Sequence, residues 1–335
     1  MKLASLFSGC GGLDLGFQNS GFNIIWSNEY DKTVYPTHIL NFPETEMDTR
    51  SIVNIHHDDI PDVDGFIGGP PCQSWSEAGA KRGINDERGQ LFNDYIRLLK
   101  AKQPKFFLAE NVSGILHKRH EKAFKNIIAD FEEAGYIISF KLLNAVDFNV
   151  PQDRKRVIIV GLHKDYKKEF VFPEKSNSKV TLRDSIYDLK DNALPAADMN
   201  KNNTKVHIPN HEYMTGGFSS MFMSRNRVRN WNEPSFTIQA GGRHAPIHPQ
   251  APKMINIGKD KFKFDESSED QYRRMTVREC ARVQTFPDNF IFEYKSVSDG
   301  YKMVGNAVPV NFAQIIASSI FEQLSIIDNQ IICSA

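Results

Sequence analysis

Lys2-Leu3-Ala4-Ser5-Leu6-Phe7-Ser8-Gly9-Cys10-Gly11-Gly12-Leu13-Asp14, close to the start of the chain, decides how the first half is built. An apolar run of strand length, Lys2 to Phe7, stops at a glycine-rich turn, and helical spacing begins at Asp14 and continues to Gln18. Such a turn lets a ligand approach the backbone closely at the carboxyl edge of a parallel sheet. Its glycines are not spaced as GxGxxG, so the pyrophosphate fingerprint of a dinucleotide-dependent oxidoreductase is missing. The next apolar run, Asn23 to Ser27, ends in Asn28-Glu29-Tyr30, which places an acid where a ribose diol is usually held. Together the two features suit a nucleoside cofactor without a pyrophosphate.

Further along, apolar runs of strand length alternate with amphipathic stretches. Gly65 to Ile67, Phe106 to Ala109, Ile137 to Leu142 and Val157 to Gly161 read as strands, and Arg88 to Lys102 and His120 to Ala134 as helices. The expected fold class is α/β, with helices around a mostly parallel sheet. After about Pro173 the periodicity fades, and Asn, Lys, Pro and Gly become frequent up to Asn210. Helical spacing returns at Arg273 to Thr285, and Phe312 to Leu324 forms an apolar amphipathic helix able to pack back onto the first domain. The division expected is residues 1–180 with 300–335 as the catalytic and cofactor domain, and 181–299 as a smaller irregular domain.

A chain of 335 residues can bury one large core and still carry a second small one. Lys plus Arg and Asp plus Glu balance at 41 each, so any polyanion site must be a local cluster. Cys10, Cys72, Cys280 and Cys333 are widely separated and have no metal-ligand spacing, which points to a reducing compartment and to no metal. Neither a signal peptide nor a run of about 18 apolar residues is legible.

Two constellations carry chemistry. In Phe66-Ile67-Gly68-Gly69-Pro70-Pro71-Cys72-Gln73-Ser74-Trp75-Ser76 a buried strand stops at two prolines that cannot continue a ladder, so Cys72 sits on a stiff loop at the ligand edge of the sheet. The strand Phe106 to Ala109 ends in Glu110-Asn111-Val112, bringing a carboxyl group to that edge. In Gln152-Asp153-Arg154-Lys155-Arg156 alternation puts Arg154 and Arg156 on one face, where two cations invite an anion or a carbonyl-rich ligand.

The ordered blocks SLFSGCGGLDLGF, GGPPCQSWS, FLAENVSG, QDRKRVIIVG, RECARVQTFPDNF and GNAVP resemble the C5-cytosine DNA methyltransferase family. The resemblance spans the chain apart from about residues 173 to 210 and the last few, and is nearest to the small bacterial enzymes of restriction-modification systems. It implies a Rossmann-like fold, S-adenosylmethionine as cofactor and double-stranded DNA as substrate, with the target cytosine flipped out of the helix. It also implies a cytoplasmic enzyme, working as a monomer beside a cognate restriction endonuclease.

By the same resemblance Cys72 adds to cytosine C6, Glu110 handles the proton at N3 with Asn111 orienting it, and Arg156 holds O2. Arg154 is assigned either a nearby phosphate or the lowering of the thiol pKa. No residue is identified that removes H5, and water can serve. Around the cofactor the resemblance places Phe7, Gly9, Gly11 and Leu13 at the methionine end, Glu29 at the ribose, Pro70 and Leu91 near the donor methyl, and Asp48 at the adenine amino group. Asn306 closes the pocket from the C-terminal side.

For DNA, the irregular domain offers Arg225, Arg227, Arg229, Gln239 and Arg243, side-chain types that read guanine and adenine edges bidentately. Arg273, Arg274, Arg278 and Arg282 suit either phosphates or the fastening of one domain to the other. Phe222 to Arg229, followed by Pro234 to Ala240, resembles family members that modify the inner cytosine of GGCC, although Ala240 to Ile247 departs from that pattern. An RNA-methylating relative and a catalytically silent one are the alternatives. The presence of both Cys72 and Glu110, with over 100 residues between Pro173 and Tyr301, favours the DNA enzyme.

Overall fold

The protein's computed structural model describes residues 1–70 and 91–334, of which 331–334 by backbone alone. The expected start of a helix at Arg88 therefore lies outside the described residues, as does Cys72. In chain order the principal elements are β1 (Lys2–Leu6), α1 (Gly12–Asn19), β2 (Asn23–Asn28), α2 (Tyr35–Asn41), β3 (Glu46–Asp48), β4 (Gly65–Gly68), α3 (Leu91–Lys102), β5 (Phe106–Val112), α4 (Glu121–Glu133), β6 (Tyr136–Asn144) and β7 (Lys155–His163). The second half adds α5 (Leu182–Ile186), β8 (Leu194–Pro195), β9 (Glu212–Tyr213), β10 (Ile255–Gly258), β11 (Lys261–Lys263), α6 (Val277–Val283), α7 (Val297–Asn306) and α8 (Val310–Ser334).

Seven described strands form one sheet in the order β3-β2-β1-β4-β5-β7-β6. Strands β3, β2, β1, β4 and β5 pair in parallel, whereas β7 runs antiparallel to both β5 and β6. The reversal has a covalent cause: only residues 145–154 join β6 to β7, too few for the crossover of a dozen or more residues that a parallel pair requires. In β4 every residue is buried, and in β1 all but Lys2, as expected of parallel strands covered on both faces.

One face of the sheet is covered by α1 and α8, whose Phe17, Phe312, Ile316 and Ile320 are buried with Leu3, Ile67 and Leu108. The other carries α3 and α4, with Tyr95, Leu99, Ile127 and Phe131 buried against Phe66 and Phe107. Helix α8 has the length and apolarity of a membrane span, yet Phe312, Ile320 and Leu324 are wholly buried in this core. Two glycines set the meeting of the chain's ends. A Cβ at Gly12 would lie 2.5 Å from the Val308 carbonyl oxygen, and one at Gly16 would lie 2.4 Å from Ala313 Cβ.

In the stretch read as the irregular domain, the residues sort into two groups. Leu182, Ile186, Met275, Phe286, Phe290 and Phe292 share a core with Cys10, Val34 and Phe42 of the first half. Phe222, Val228, Ile247, Ala251, Met254 and Tyr272 form a separate small cluster next to the β10–β11 hairpin.

Candidate active site

The turn after β1 is built around positive φ angles at Phe7 (56°), Gly9 (56°) and Gly11 (92°). Left-handed backbone is costly for an aromatic residue, and at Phe7 it is over-determined by packing of the ring against the α3 side of the sheet. Gly11 caps α1, and a Cβ there would strike the Phe42 ring at 2.1 Å. At Gly9 a Cβ would meet nothing within 4 Å, so the backbone is bare where a ligand could approach. Leu13 is buried beneath the turn.

Glu29, one residue past β2, binds this turn. Its Oε2 accepts from Gly9 N–H at 2.9 Å, and its Oε1 accepts from Tyr30 and Asp31 N–H at 2.8 Å each. Burial raises the Glu29 carboxyl above its ordinary value, partly offset by those three amides. Asp48 ends the short strand β3, which pairs with β2 so that Asp48 stands opposite Asn28. Burial acts to raise the Asp48 carboxyl, but Arg50 bonds to both its oxygens and leaves it below its ordinary value. Lys302 of α7 ion-pairs with Asp31 and so ties the C-terminal part of the chain to the Glu29 turn, with Asn306 exposed at the end of the same helix.

The β5–β7 register brings the catalytic candidates together. Glu110 stands opposite Ile158 and Val112 opposite Arg156, so Arg156 is the diagonal neighbour of Glu110 on one face. Arg156 Nε lies 2.7 Å from Glu110 Oε1, both side chains being largely buried. Glu110 also overhangs Gly69, where a Cβ would sit 3.3 Å from Oε2. Asn111 does not orient Glu110 as expected. Its amide donates to the Pro70 carbonyl at 3.2 Å and so holds the last described residue before the Cys72 segment. Leu91, the first residue of α3, packs against the core on that side. A glycine-rich turn, an acid held by three backbone amides and a clamped carboxylate thus share the carboxyl edge of β1, β2 and β5.

Residues 1–322 match the model of the C-5 cytosine-specific DNA methylase family. The chain belongs to that family. It is 57% identical to the Type II methyltransferase M.FnuDI of Fusobacterium nucleatum, over 97% of this chain and 95% of that protein. It is 55% identical to M.NgoPII of Neisseria gonorrhoeae, over 97% and 96% of the two. The fold superposes on the Entamoeba histolytica methyltransferase EhMeth with a TM-score of 0.70 at 16% identity, over 97% of this chain and 98% of that one. The protein is therefore a DNA (cytosine-5)-methyltransferase.

In this methylase several arginines serve other ends than those expected. Arg154 does not stand beside Arg156 as a second cation facing a ligand. It is 1% exposed, and its guanidinium donates to the carbonyls of Ile238 at 3.1 Å and of Gly305 and Ala307 at 3.0 Å each. The reason is its place just before β7, where the irregular segment and the end of α7 converge with unpaired carbonyls. Arg227, expected at a base edge, is buried, donating to the Phe222 and Met221 carbonyls and lying over the Phe222 ring. Arg229 is drawn back by Glu233 at 3.2 Å and covers Phe236.

Arg225, Gln239 and Arg243 remain exposed. Arg225 and Gln239, with Asp153, Thr237, His244 and the largely buried Arg227, line a cleft of about 190 Å³ between the lead-in to β7 and the irregular segment. The later arginines fasten rather than bind. Arg273 is bidentate to Glu279 (2.8 and 2.7 Å), Arg274 donates to the Gly216 and Gly217 carbonyls, Arg278 to those of Pro209 and Phe290, and Arg282 pairs with Asp188 and Asp288.

Sequence reasoning missed a buried chain under the glycine-rich turn: Ser5 Oγ donates to Asp14 Oδ1 at 2.5 Å, and Asp14 Oδ2 lies 3.1 Å from His38 Nε2. Its one legible signal is an acid in the first turn of an otherwise apolar helix. Cys10, in the same turn, is a core thiol that burial pushes up to about 12, and it donates to the Met303 carbonyl at 3.5 Å.

Proposed function

We propose that this methylase transfers a methyl group from S-adenosylmethionine to C5 of a cytosine flipped out of duplex DNA, with Cys72 as the covalent nucleophile. The observation that carries the reading is the Glu110–Arg156 pair, which clamps a carboxyl group over Gly69, three residues before Cys72 in the chain. The cofactor's residues fit the role: Gly9 offers bare backbone, and Glu29 is held by three amides in the place of a ribose acceptor. Phe7, Gly11, Leu13, Asp48, Pro70, Leu91 and Asn306 complete that pocket. When bound, the cofactor supplies a methyl group already activated by its sulfonium.

The chain's own groups account for the rest. The Cys72 thiolate forms a bond to C6, and ring electrons move toward N3, where Glu110 shares a proton. Arg156 holds Glu110 in place and donates to the cytosine O2. C5, now enamine-like, takes the methyl group, the sulfur leaving as a neutral thioether, and Glu110 takes back the proton it shared with N3. H5 then leaves as a proton to water, and its bonding pair expels the thiolate. The extrusion of the base relies on the cleft lined by Arg225 and Gln239, beside exposed Arg243, to grip the surrounding duplex.

For the site, GGCC modified at the inner cytosine is the reading best supported by the Phe222 to Ala240 stretch. The protein then protects cytoplasmic DNA, as a monomer, against a cognate endonuclease. The test is incubation with a duplex carrying 5-fluorocytosine at the target, where fluorine cannot leave as a proton does. A cofactor-dependent protein–DNA adduct on a denaturing gel is expected, absent in Cys72→Ser. Its absence in the wild-type protein, or turnover by Cys72→Ser, overturns the covalent route. Bisulfite sequencing of DNA from expressing cells reads the site, and modification confined to other sequences removes GGCC.

A further inference from the structure

Residues 151–154, which lead into β7, and residues 235–238 of the irregular segment run side by side. Ser235 N donates to the Pro151 carbonyl at 2.8 Å and Asp153 N to the Ser235 carbonyl at 2.9 Å, while Thr237 Oγ1 donates to the Asp153 carbonyl at 2.6 Å. Two side chains then take both backbone groups of Ile238. Its N–H donates to Gln152 Oε1 at 2.8 Å, and its carbonyl accepts from Arg154 Nη1 at 3.1 Å. The next residue, Gln239, is exposed in the cleft beside Arg225.

A third segment closes the cluster. Arg154 Nη2 donates to the Gly305 and Ala307 carbonyls, and Gln152 Nε2 donates at 2.8 Å to Gln284, which in turn donates to the Val304 carbonyl at 2.7 Å. Gly305 presses on the reading segment itself, since a Cβ there would lie 2.3 Å from the Gln239 carbonyl group. Gln152, Gln284, Arg154 and Ile238 are at most 1% exposed.

From this geometry we infer that Gln152 and Arg154 are positioning residues that couple base reading in the cleft to the Glu110–Arg156 pair. The inference rests on the methylation reading above. In a buried cluster the guanidinium cannot slide along its three carbonyls without breaking the Nη1 and Nη2 bonds, so a displacement of Gln239 is passed to Arg154 rather than absorbed. Only Lys155 separates Arg154 from Arg156, and β7 is paired on both edges from Lys155 or Arg156 onward, so the backbone is too stiff to absorb it there. The shift appears at Arg156, whose Nε must stay 2.7 Å from Glu110 for the clamp to hold. Duplex that seats the cleft correctly leaves the clamp aligned, and a wrong base pair pulls it out of line.

The test uses the full-length protein and duplexes carrying either the site mapped by bisulfite sequencing or that site with one base pair changed. Arg154→Lys keeps the charge but cannot span the three carbonyls. Gly305→Ala wedges the reading segment directly, and Thr237→Val removes one bond near the cleft without touching the buried cluster. The expected result is that kcat on the correct site falls about tenfold while cofactor Kd is unchanged, and that the preference for correct over altered duplex narrows by a similar factor. A rise in DNA KM at constant kcat in all three variants would reduce these residues to ordinary contacts and overturn the coupling, as would equal slowing on both duplexes. If Arg154→Lys fails to give a cooperative melt, the other two variants decide the question. A wild-type protein that methylates no duplex refutes the methylation reading itself, and the coupling with it.

Discussion

Replacing Glu29 with glutamine tests the cofactor pocket at a single atom. A carboxylate offers about four lone-pair sites. Three are occupied, two on Oε1 by Tyr30 and Asp31 N–H and one on Oε2 by Gly9 N–H, which leaves one free site on Oε2. In Glu29→Gln the amide oxygen should take the position facing two donors, so the NH2 group falls at Oε2, against the Gly9 N–H and where a ribose hydroxyl would donate. The cofactor then loses one hydrogen bond to a charged acceptor, worth about 1.5–3 kcal/mol, or a Kd weaker by about 10- to 150-fold. Fold stability should change less, because the neutral amide also escapes the burial penalty that raises the Glu29 carboxyl. Calorimetric titration with S-adenosylmethionine, a thermal melt without cofactor and kcat at saturating cofactor separate these effects. A Kd within twofold of wild type would place the ribose on another acid. A full loss of kcat at saturation would move Glu29 into the chemistry and refute the reasoning.

Glu110→Gln is expected to lower kcat by roughly a hundredfold or more with cofactor Kd unchanged, since the proton at N3 belongs to the transition state; a collapse of cofactor binding would assign Glu110 to the pocket wall instead. Arg225→Ala should relax the choice of base at one position by about 1–3 kcal/mol. Arg227→Ala should instead weaken all duplexes alike and cost about 1–3 kcal/mol of stability, because it leaves the Met221 and Phe222 carbonyls unpaired. Methylation mapping that found the reverse would return Arg227 to base reading. Acid should lower the protein's stability in two overlapping stages. Burial drives His248 down to about 4 from an ordinary 6.5; burial acts to raise the Glu279 carboxyl, but Arg273 holds it down at about 2 from 4.5. Both values are depressed in the folded state, so this stability is complete above pH 6.5, is lost through His248 between 6.5 and 4, and through Glu279 between 4.5 and 2. A melting temperature flat from pH 7 to 4 would contradict the His248 assignment.

Much of the first half was legible because its signals are local. Apolar runs bounded by glycines and acids mark β1, β2, β4 and β5, and the ends of those strands are where Glu29, Gly69 and Glu110 emerge. The antiparallel β7 was less legible, since direction follows from the length of the 145–154 connection rather than from the strand's composition. Strand β3 was invisible because it is three residues long and held by pairing with β2 alone. Arg154 and Arg156 look alike in sequence, but β7 begins at Lys155, so the alternation that was expected to pair them does not extend to Arg154. What separates them is tertiary: Glu110 reaches Arg156 through the register of a strand over 40 residues away, while carbonyls from two distant segments surround Arg154.

The same reasoning explains why Arg154, Arg227 and Arg229 depart from the expected roles, and why Arg274 and Arg278 fall on the fastening side of the two alternatives the sequence left open. A segment with few strand ladders leaves many carbonyls without backbone donors, and each buried carbonyl must be met by something. Arginine supplies five N–H groups in a rigid fork and does not readily give up its proton, even where burial pushes its pKa down, as at Arg154, Arg274 and Arg278. Those three take the place of a sheet, cross-linking residues 209 to 217, 238, 290 and 305 to 307. An arginine-rich stretch without periodicity therefore signals a fold held by guanidinium–carbonyl bonds at least as strongly as it signals a DNA surface. Burial distinguishes the two, and it leaves Arg225 and Arg243 facing outward. The polar fastening also accounts for how a region whose separate cluster holds only a handful of buried side chains keeps an ordered backbone. Directional bonds from Arg154 and Arg274 tie it to the rest of the chain, so the segment is held without a large core of its own.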